Sequence, residues 1–326
     1  MSATVGGATG SGGRGSHALR GPAYAASDWT LEGLLRLKGD LTISVVIPAK
    51  NEEATVGDVA GRILADVAAL VDEVVVINSD STDRTAEMAL RAGAKVFSAS
   101  KIQPQLGSVT GKGEALWKSQ FVTRGDLVVF VDADLVDWGT HFVTGLLGPL
   151  LSDPGTHLVK AIYDRPMLDA TGREEEVGGR VTELVARPWL ALHRPELAGI
   201  VQPLSGEWAI RRSSFATFSV PVGYGVEIAA LIDTADRFGA AAIAQVDLGR
   251  RTHRHHRHDT LGLMAVQVLA AAERRRGAHR GGVAGDTVDL TQYTRGAAGF
   301  EPQVSAVAVG ERPSADSVHM PSAGSR

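Results

Sequence analysis

The chain has 326 residues, 44% of them hydrophobic and 21% charged, with 33 basic against 37 acidic residues and a formal net charge of −4. This is the length and composition of a globular protein with a full hydrophobic core, and the nearly balanced charge argues against bulk binding of nucleic acid. The absence of cysteine excludes disulfides and thiolate metal sites and fits a reducing cytoplasm, and no apolar run is long enough to cross a membrane.

Residues 1–28 are predicted to form a disordered arm, because Met1 to Gly21 are rich in Gly, Ser and Ala and lack the apolar core of a secretory signal. Within this arm, Gly10-Ser-Gly-Gly-Arg-Gly15 matches the dinucleotide fingerprint Gly-x-Gly-x-x-Gly. No strand precedes the match and no amphipathic helix follows it, so we interpret it as chance.

Alternating strands and helices are predicted from residue 29 onward. Leucines within Trp29–Leu37 indicate a short helix, and the apolar run Ile43–Ile47 indicates a strand that stops at Pro48. Asn51 is predicted to cap a helix that runs to about Leu70.

The same alternation continues along the chain. Glu73–Ile77 and Lys95–Ser98 are predicted strands, with a helix from about Arg84 to Ala92 between them. Strands that alternate with helices through short loops favour an α/β fold with a parallel, right-handed βαβ sheet.

A glycine-rich loop, Gly107-Ser-Val-Thr-Gly-Lys-Gly113, precedes a helix predicted from Glu114 to Thr123. It is not a Walker A loop, since only three residues separate Gly107 from Gly111 and a glycine follows the lysine. Glycines around Lys112 at a helix N-terminus still favour an anion cradle, the alternative being a capping turn with a solvated lysine.

Two carboxylates, Asp132 and Asp134, follow the buried strand predicted at Leu127–Val131. Fixed negative charge beside a dry core is costly unless it is paired or binds a cation. Mg²⁺ or Mn²⁺, shared with a substrate diphosphate, supplies that compensation at the edge of the sheet where ligands of α/β proteins bind. We therefore interpret the pair as the Asp-x-Asp of a nucleotide-sugar site, against the alternative of a strand end with two solvated acids.

A segment of four arginines and four histidines, Arg250–His258, follows the strand predicted at Ile243–Leu248. In a parallel sheet this segment would lie at the same edge as Asp134; the alternative is a solvated basic loop. Helical spacing of apolar residues follows in Leu261–Ala272, and a Ser/Ala/Pro-rich disordered tail is predicted over residues 303–326.

Longer motifs resemble one group of enzymes. Val46-Ile-Pro-Ala-Lys-Asn-Glu-Glu53 resembles the first strand and nucleotide loop of family-2-like glycosyltransferases with a GT-A fold, and the Asp-Ala-Asp agrees with it. The segments that further resemble actinobacterial glucosyl-3-phosphoglycerate synthases (glycosyltransferase family 81) are Gly111–Trp117, Gly178–Pro188, Gln202–Glu207, Gly223–Ile228 and Ala244–Gly249. The similarity runs from about Trp29 to Gln303.

The resemblance implies a retaining transfer of a hexose from a nucleoside diphosphate sugar to 3-phosphoglycerate, with Mg²⁺ or Mn²⁺ as the metal and UDP-glucose as the favoured donor. GDP-glucose, mannosyl transfer from GDP-mannose, and a catalytically silent nucleotide-sugar-binding regulatory domain stay as alternatives. It also implies a homodimer and one GT-A domain over residues 29–302, with a mixed, mainly parallel sheet flanked by helices. Within it, the nucleotide-binding part would span about 41–136 and the acceptor-binding part about 137–302.

The resemblance also assigns roles to single residues of the donor site. The nucleotide sugar would be bound by Pro48, Ala49, Lys50, Glu52, Ser79, Lys112, Asp132 and Arg251, of which Lys112 and Arg251 would bind the diphosphate. Asp134 and His253 would bind the metal. Glu227 would face the sugar hydroxyls, and the backbone carbonyl of Leu204 would steer the acceptor hydroxyl.

The acceptor carries a phosphate and a carboxylate, so its site must offer hydrogen-bond donors. Gly179, Arg180, Val181 and Thr182 fit, because two glycines lead into a helix whose first amides point outward beside an arginine and a hydroxyl. His255 would face the acceptor as well. The alternative for the glycines is a simple hinge.

One departure from the family affects the donor loop. Relatives usually carry Asp-Ser-Gly after the second strand, where this chain has Asn78-Ser79-Asp80. We expect this change to bear on base or sugar preference.

Overall fold

The computed structural model describes residues 23–164, 167–168, 174–175, 179–250, 252–253, 258–276, 285–296 and 299–318. The helices are α1 (Leu31–Lys38), α2 (Val56–Asp66), α3 (Thr85–Arg91), α4 (Lys112–Ser119), α5 (His141–Ser152), α6 (Arg187–His193), α7 (Arg212–Phe215), α8 (Val226–Phe238) and α9 (His258–Glu273). The strands are β1 (Ala23–Ala25), β2 (Ile43–Ala49), β3 (Glu73–Asn78), β4 (Lys95–Ser98), β5 (Leu127–Phe130), β6 (Leu135–Asp137), β7 (Leu158–Asp164), β8 (Met167–Leu168), β9 (Glu174–Glu175), β10 (Trp208–Arg211), β11 (Val220–Pro221), β12 (Ile243–Arg250), β13 (Thr252–His253), β14 (Thr287–Gly296), β15 (Gly299–Ala308) and β16 (Glu311–Arg312).

The central sheet has eight strands in the order β1-β12-β7-β10-β5-β2-β3-β4. All neighbouring strands run parallel except β10, which is antiparallel to both β7 and β5. The predicted architecture, a mixed and mainly parallel sheet flanked by helices, is therefore confirmed. Among the described helices, none is both long and apolar enough to cross a membrane.

Helices cover both faces of the sheet, which explains why its strands read as continuous apolar runs. Along β2, Val45 and Ile47 pack on one face against the cluster that includes α2 and α5. The intervening Val46 packs on the other face against the cluster that includes α4 and α8. In β3, for example, the only polar side chains are those of Glu73 and Asn78, at the two ends of the strand.

The helix after β2 begins later than predicted, so the assignment of Asn51 as its cap is wrong. Residue 51 has a positive φ of 58°, and its side-chain oxygen accepts a hydrogen bond from the Thr82 amide at 2.9 Å. The helix begins at Val56 instead, after Thr55. Asn51 thus connects two loops at the edge of the sheet and leaves residues 50–55 as a loop.

The structure corrects the predicted disorder for residues 23–28 and 303–318, while residues 1–22 and 319–326 lie outside the described residues. Residues 23–25 form β1, which adds a parallel strand beside β12. At the other end, β15 pairs with β14 through Ala308, and β16 pairs with β11. The composition of residues 303–318 suggested disorder because it is poor in large apolar residues, yet Val307 and Val309 are buried against Ala270 of α9.

Candidate active site

A cavity of about 430 Å³ lies at the carboxyl ends of the parallel strands β2, β3 and β5. The predicted site residues that line it are Pro48, Ala49, Lys50, Glu52, Ser79, Lys112, Asp132 and Asp134. Three strand ends and the first turn of α4 supply them, as expected for polar groups that follow strands buried on both faces.

Lys112 lies between two carboxylates at this cavity. Its Nζ is 2.6 Å from Oδ1 of Asp132 and 2.9 Å from Oε1 of Glu227. Burial alone would lower the pKa of Lys112, but the charges and hydrogen bonds of Asp132 and Glu227 outweigh burial and hold the pKa above its ordinary value. The ammonium is therefore a fixed positive charge at the cavity wall. An anionic ligand bound in the cavity would be its third negatively charged partner, after Asp132 and Glu227.

The glycines beside Lys112 have a role different from the predicted one. The amide of Gly113 donates to the Gly223 carbonyl at 3.2 Å, and the amide of Glu114 donates to the Val222 carbonyl at 2.9 Å. A Cβ at position 113 would lie 1.8 Å from the Pro221 carbonyl oxygen. The glycines thus admit a neighbouring backbone, and the amides of Gly113 and Glu114 are not available to the predicted anion cradle, whereas Gly111 and Lys112 line the cavity.

The segment that contains Leu204 lies directly against Asp132. A Cβ at Gly206 would lie 2.1 Å from Oδ2 of Asp132 and 3.0 Å from Nζ of Lys112. Only glycine therefore fits at position 206 without displacing the carboxylate. Gly206 was not predicted as a site residue, although the motif 202–207 contains it; Leu204, two residues earlier, does not itself line the cavity.

Tyr224 and Gln267 also line the cavity, and neither was predicted to do so. Tyr224 is partly exposed, and the partial desolvation of its hydroxyl raises the pKa; Lys112 opposes this effect and the carboxylates of Asp132 and Glu227 add to it. Tyr224 therefore keeps its proton at neutral pH and remains a hydrogen-bond donor. In the sequence, the two glycines that flank Tyr224 were the feature that could have indicated its place in the site.

Gln267 was harder to predict as a site residue, because the sequence shows only a single polar residue among the apolar positions of α9. Its Oε1 accepts from the Tyr224 amide at 3.0 Å, and its Nε2 donates to the Ala308 carbonyl at 2.9 Å. Gln267 thus connects the loop that carries Tyr224 to the C-terminal strand β15.

The loop after β3 explains how this chain accommodates its departure from the family pattern. Asp80 has a φ of 53°, a left-handed conformation that glycine adopts freely and aspartate tolerates. Its Oδ1 accepts from the hydroxyls of Ser98 and Ser100, both at 2.8 Å. Oδ1 of Asn78 accepts from the Ser81 amide at 3.1 Å, a bond that needs no charge. Asn78 and Asp80 are therefore both compatible with the turn that presents Ser79 to the cavity.

The strand register brings the backbone of His253 next to the segment that carries Asp134. β13 pairs with β6 so that the backbone of His253 lies opposite Leu135, the residue next to Asp134. A carboxylate and an imidazole are an acceptable pair of ligands for Mn²⁺ or Mg²⁺, with substrate oxygens and water completing the shell. Among the described side chains there is no cluster of three or more metal-binding residues.

The predicted acceptor residues lie at the start of a helical segment. Gly179 has a φ of 87°, and its carbonyl accepts from the Glu183 amide at 2.9 Å. The amides before Glu183 have no acceptor within the helix, as at any helix N-terminus. Val181 is buried in the core and Thr182 is also buried. In the described part of the chain these four residues are not in the wall of the cavity around Asp132.

Two predicted residues, Arg251 and His255, lie outside the described residues. For His253, only its place in β13 is described.

Known glycosyltransferases are similar to this chain over most of its length. Residues 44–214 match the family model of glycosyl transferase family 2. The chain is 46% identical over 285 residues to the glucosyl-3-phosphoglycerate synthase of Mycolicibacterium smegmatis. The aligned region covers 87% of this chain and 92% of that protein. It is 48% identical over 276 residues to the enzyme of the same name from Mycobacterium tuberculosis, covering 82% of each.

Solved structures of the Mycobacterium tuberculosis enzyme share the fold. The complex with Mn²⁺, UDP and phosphoglyceric acid has a TM-score of 0.82 at 43% identity and covers 92% of this chain and 99% of that chain. The complex with Mn²⁺, UDP-glucose and phosphoglyceric acid has a TM-score of 0.80, with the same identity and coverage. From these matches over most of its length, together with the shared sheet, the chain belongs to the glucosyl-3-phosphoglycerate synthase family of GT-A glycosyltransferases.

Proposed function

We propose that this chain transfers glucose from UDP-glucose to 3-phosphoglycerate and releases UDP and glucosyl-3-phosphoglycerate. The observation that carries the proposal is the position of Lys112, held 2.6 Å from Asp132 and 2.9 Å from Glu227 in a cavity at the ends of three parallel strands. A cation fixed in this way, beside a carboxylate suited to a metal, fits a ligand with a diphosphate.

The donor would lie along the cavity. Its base and ribose would contact the wall formed by residues 48–52 and Ser79, and its diphosphate would lie beside Lys112 and Asp134. Glu227 would then face the hexose hydroxyls, since it forms an ion pair with Lys112, the residue that would lie beside the diphosphate. UDP-glucose is favoured over GDP-linked sugars because the related Mycobacterium tuberculosis enzyme is crystallised with UDP and with UDP-glucose.

Asp134 and His253 would hold Mg²⁺ or Mn²⁺, the two cations found with UDP in structures of that relative. When bound, the cation supplies positive charge against the departing diphosphate. Lys112 adds a second fixed charge at the same place, which is worth more in a site screened from water than in solution.

The acceptor would bind at the helix start formed by Gly179, Arg180, Val181 and Thr182, with His255 beside it. A phosphate or carboxylate is favoured there by outward-pointing amides and by the guanidinium of Arg180. Val181 is buried, so it would contribute its amide and not its side chain.

The reaction would break the bond from the anomeric carbon to the diphosphate and form a bond to the acceptor hydroxyl, with retention of configuration. We assign no covalent nucleophile, because Glu227 and Asp132 are both engaged with Lys112. The carbonyl of Leu204, two residues before Gly206, would orient the acceptor hydroxyl.

The test is to offer UDP-glucose, GDP-glucose and GDP-mannose in parallel to the purified protein, with 3-phosphoglycerate and Mg²⁺ or Mn²⁺. We expect transfer from UDP-glucose and loss of transfer when the metal is chelated. Dominant transfer from GDP-mannose would replace the proposed donor. UDP binding without transfer from any donor would favour the silent regulatory domain.

We also propose that the protein is a cytoplasmic homodimer. The absence of cysteine and the substrates support the compartment, and the family resemblance supports the dimer. Light scattering at micromolar concentration would report twice the chain mass of 34.2 kDa.

A further inference from the structure

The C-terminal segment formed by residues 307–313 packs against elements that adjoin the donor cavity. Within it, β16 pairs antiparallel with β11, and the Val222 amide donates to the Gly310 carbonyl at 3.1 Å. The strand β11 leads directly into the residues that carry Tyr224 and Glu227. Residues 310–312 therefore lie next to an element of the active site, although they are far from it in sequence.

Arg312 connects this segment to α4, the helix that begins with Lys112. Its Nε lies 2.6 Å from Oε2 of Glu114 and its Nη2 lies 2.8 Å from Oε1. A two-point contact of this kind fixes orientation as well as distance, which a lysine in the same place would not do. Glu114 is fully buried and stands two residues after Lys112, in the first turn of the helix.

The same arginine also holds the loop that leads into α4. Its Nη1 donates to the Leu106 carbonyl at 2.8 Å. Glu114 accepts from the Val109 amide at 3.4 Å, and Lys118 donates to the Gly107 carbonyl at 2.9 Å. This loop continues into Thr110 and Gly111, which form part of the cavity wall.

The aromatic side chain of Trp117 completes the attachment. The Arg312 guanidinium lies over its ring, 5.2 Å from the ring centre, and the Trp117 Nε1 donates to the Pro313 carbonyl at 2.7 Å. The segment 307–313 therefore contacts α4 through an ion pair, a ring contact and a backbone acceptor.

We propose that Arg312 is a positioning residue for the donor site. Acting through Glu114 and the loop 106–111, it sets the first turn of α4, and with it the place of the Lys112 ammonium between Asp132 and Glu227. It does not line the cavity and is not proposed to contact substrate. The inference rests on the proposed function in that it assigns Lys112 to the donor diphosphate.

The variant Arg312→Gln is suited to a test because the fold has a second cation near Glu114. Lys118 Nζ lies 3.9 Å from Oε1 of Glu114, so the buried carboxylate keeps a counter-charge when the guanidinium is removed. What is lost is the two-point contact and the bond to Leu106. We therefore expect a folded protein with a loosened first turn of α4.

A matched control is Arg194→Gln. Arg194 is about as buried as Arg312, with 12% against 15% of the side chain exposed, and it likewise bonds carboxylates, those of Glu196 and Asp236. It makes none of the described contacts with α4 or with the cavity. Its loss therefore reports general destabilisation.

The experiment measures, for the wild type, Arg312→Gln, Arg312→Lys and Arg194→Gln, the Kd for UDP in the presence of Mn²⁺, KM for UDP-glucose and for 3-phosphoglycerate, kcat and Tm. For Arg312→Gln we expect Kd for UDP and KM for UDP-glucose to rise about tenfold, with KM for 3-phosphoglycerate unchanged. Arg312→Lys restores part of the loss, and Arg194→Gln lowers Tm without changing either KM.

Equal effects of Arg312→Gln on donor and acceptor parameters, or effects no larger than those of Arg194→Gln, would overturn the positioning role while leaving the proposed function intact. A wild type that binds UDP but transfers nothing would refute the proposed transfer, and weaker UDP binding by Arg312→Gln would then still support the positioning role.

Discussion

At the residue scale, the site depends on one cation shared by two carboxylates. Lys112 is bonded to both Asp132 and Glu227, and Gly206 leaves room for the Asp132 side chain. The arrangement fixes all three charged groups before any ligand arrives. Such preorganisation lets a charge act on a developing anion without first reorienting.

Replacing this cation should reduce transfer strongly. For Lys112→Gln we expect kcat/KM for UDP-glucose to fall by about 10²–10³-fold, because the diphosphate loses a fixed charge and meets two uncompensated carboxylates. Steady-state kinetics of UDP release measures this. Lys95→Gln is the control, since Lys95 forms a more exposed ion pair with Glu73 outside the cavity; a kcat/KM for Lys112→Gln equal to that of the control would refute the role.

Part of this site is readable from sequence, for a physical reason. Asp132, Asp134 and Ser79 follow apolar strands, and parallel strands bring their carboxyl ends to one edge, so local pattern predicts their meeting. Gly206, Tyr224 and Gln267 come from distant segments, and their contacts depend on packing that no local period encodes. A close backbone approach and an anion cradle need the same residue type, so the sequence alone could not show that the glycines beside Lys112 admit the backbone of residues 221–223.

At the element scale, the sheet is held together at the edge opposite the cavity by Glu73, at the start of β3. Its carboxylate accepts from the Ser44 hydroxyl at 2.7 Å, the Arg124 amide at 2.7 Å and the Lys95 ammonium at 2.9 Å. Burial alone would raise the pKa of Glu73, but these hydrogen bonds hold it below its ordinary value. One side chain thus connects β2, β4 and the entry to β5.

Glu73→Gln should therefore destabilise the fold without altering catalysis. We expect a loss of about 1–2 kcal/mol in the free energy of unfolding at pH 7. Because the folded pKa is lowered, this stabilisation is present above pH 4.5 and is lost as the pH falls through the folded pKa.

Thermal unfolding of both proteins from pH 7 to pH 3.5 measures this difference, with the exposed Glu32→Gln as control. A difference in Tm that stays constant over this range would contradict the assignment.

At the scale of the whole molecule, the two ends of the described chain complete the fold. β1 extends the sheet at β12, and residues 303–318 pair with β14 and β11 and bring Arg312 to α4. Sequence composition placed these residues outside the domain, because their stability comes from pairing with distant strands and not from local apolar period. Their contacts make them part of the catalytic domain.

Truncation distinguishes whether residues 303–318 are a dispensable tail or a part of the folded domain. A chain that ends at Pro302 loses the buried Val307 and Val309 and the contacts of Arg312, and we expect a large fall in Tm and little transfer. A chain that ends at Val318 keeps every contact named above and should match the full-length protein in Tm and kcat/KM. Full activity in the shorter chain would show that residues 303–318 are dispensable.

The measurement that tests the central claim most directly is NMR observation of product formation by the wild type, Asp134→Ala and Asp137→Ala. Each protein is supplied with UDP-glucose and 3-phosphoglycerate in a buffer that contains Mg²⁺ and no Mn²⁺. Asp137 is an exposed acid three residues along the same segment and serves as the control. We expect wild type and Asp137→Ala to form UDP and an α-linked glucosyl-3-phosphoglycerate, and Asp134→Ala to be slower by at least about 100-fold. Near-normal product formation by Asp134→Ala, or no glycosidic product from the wild type, would contradict the account.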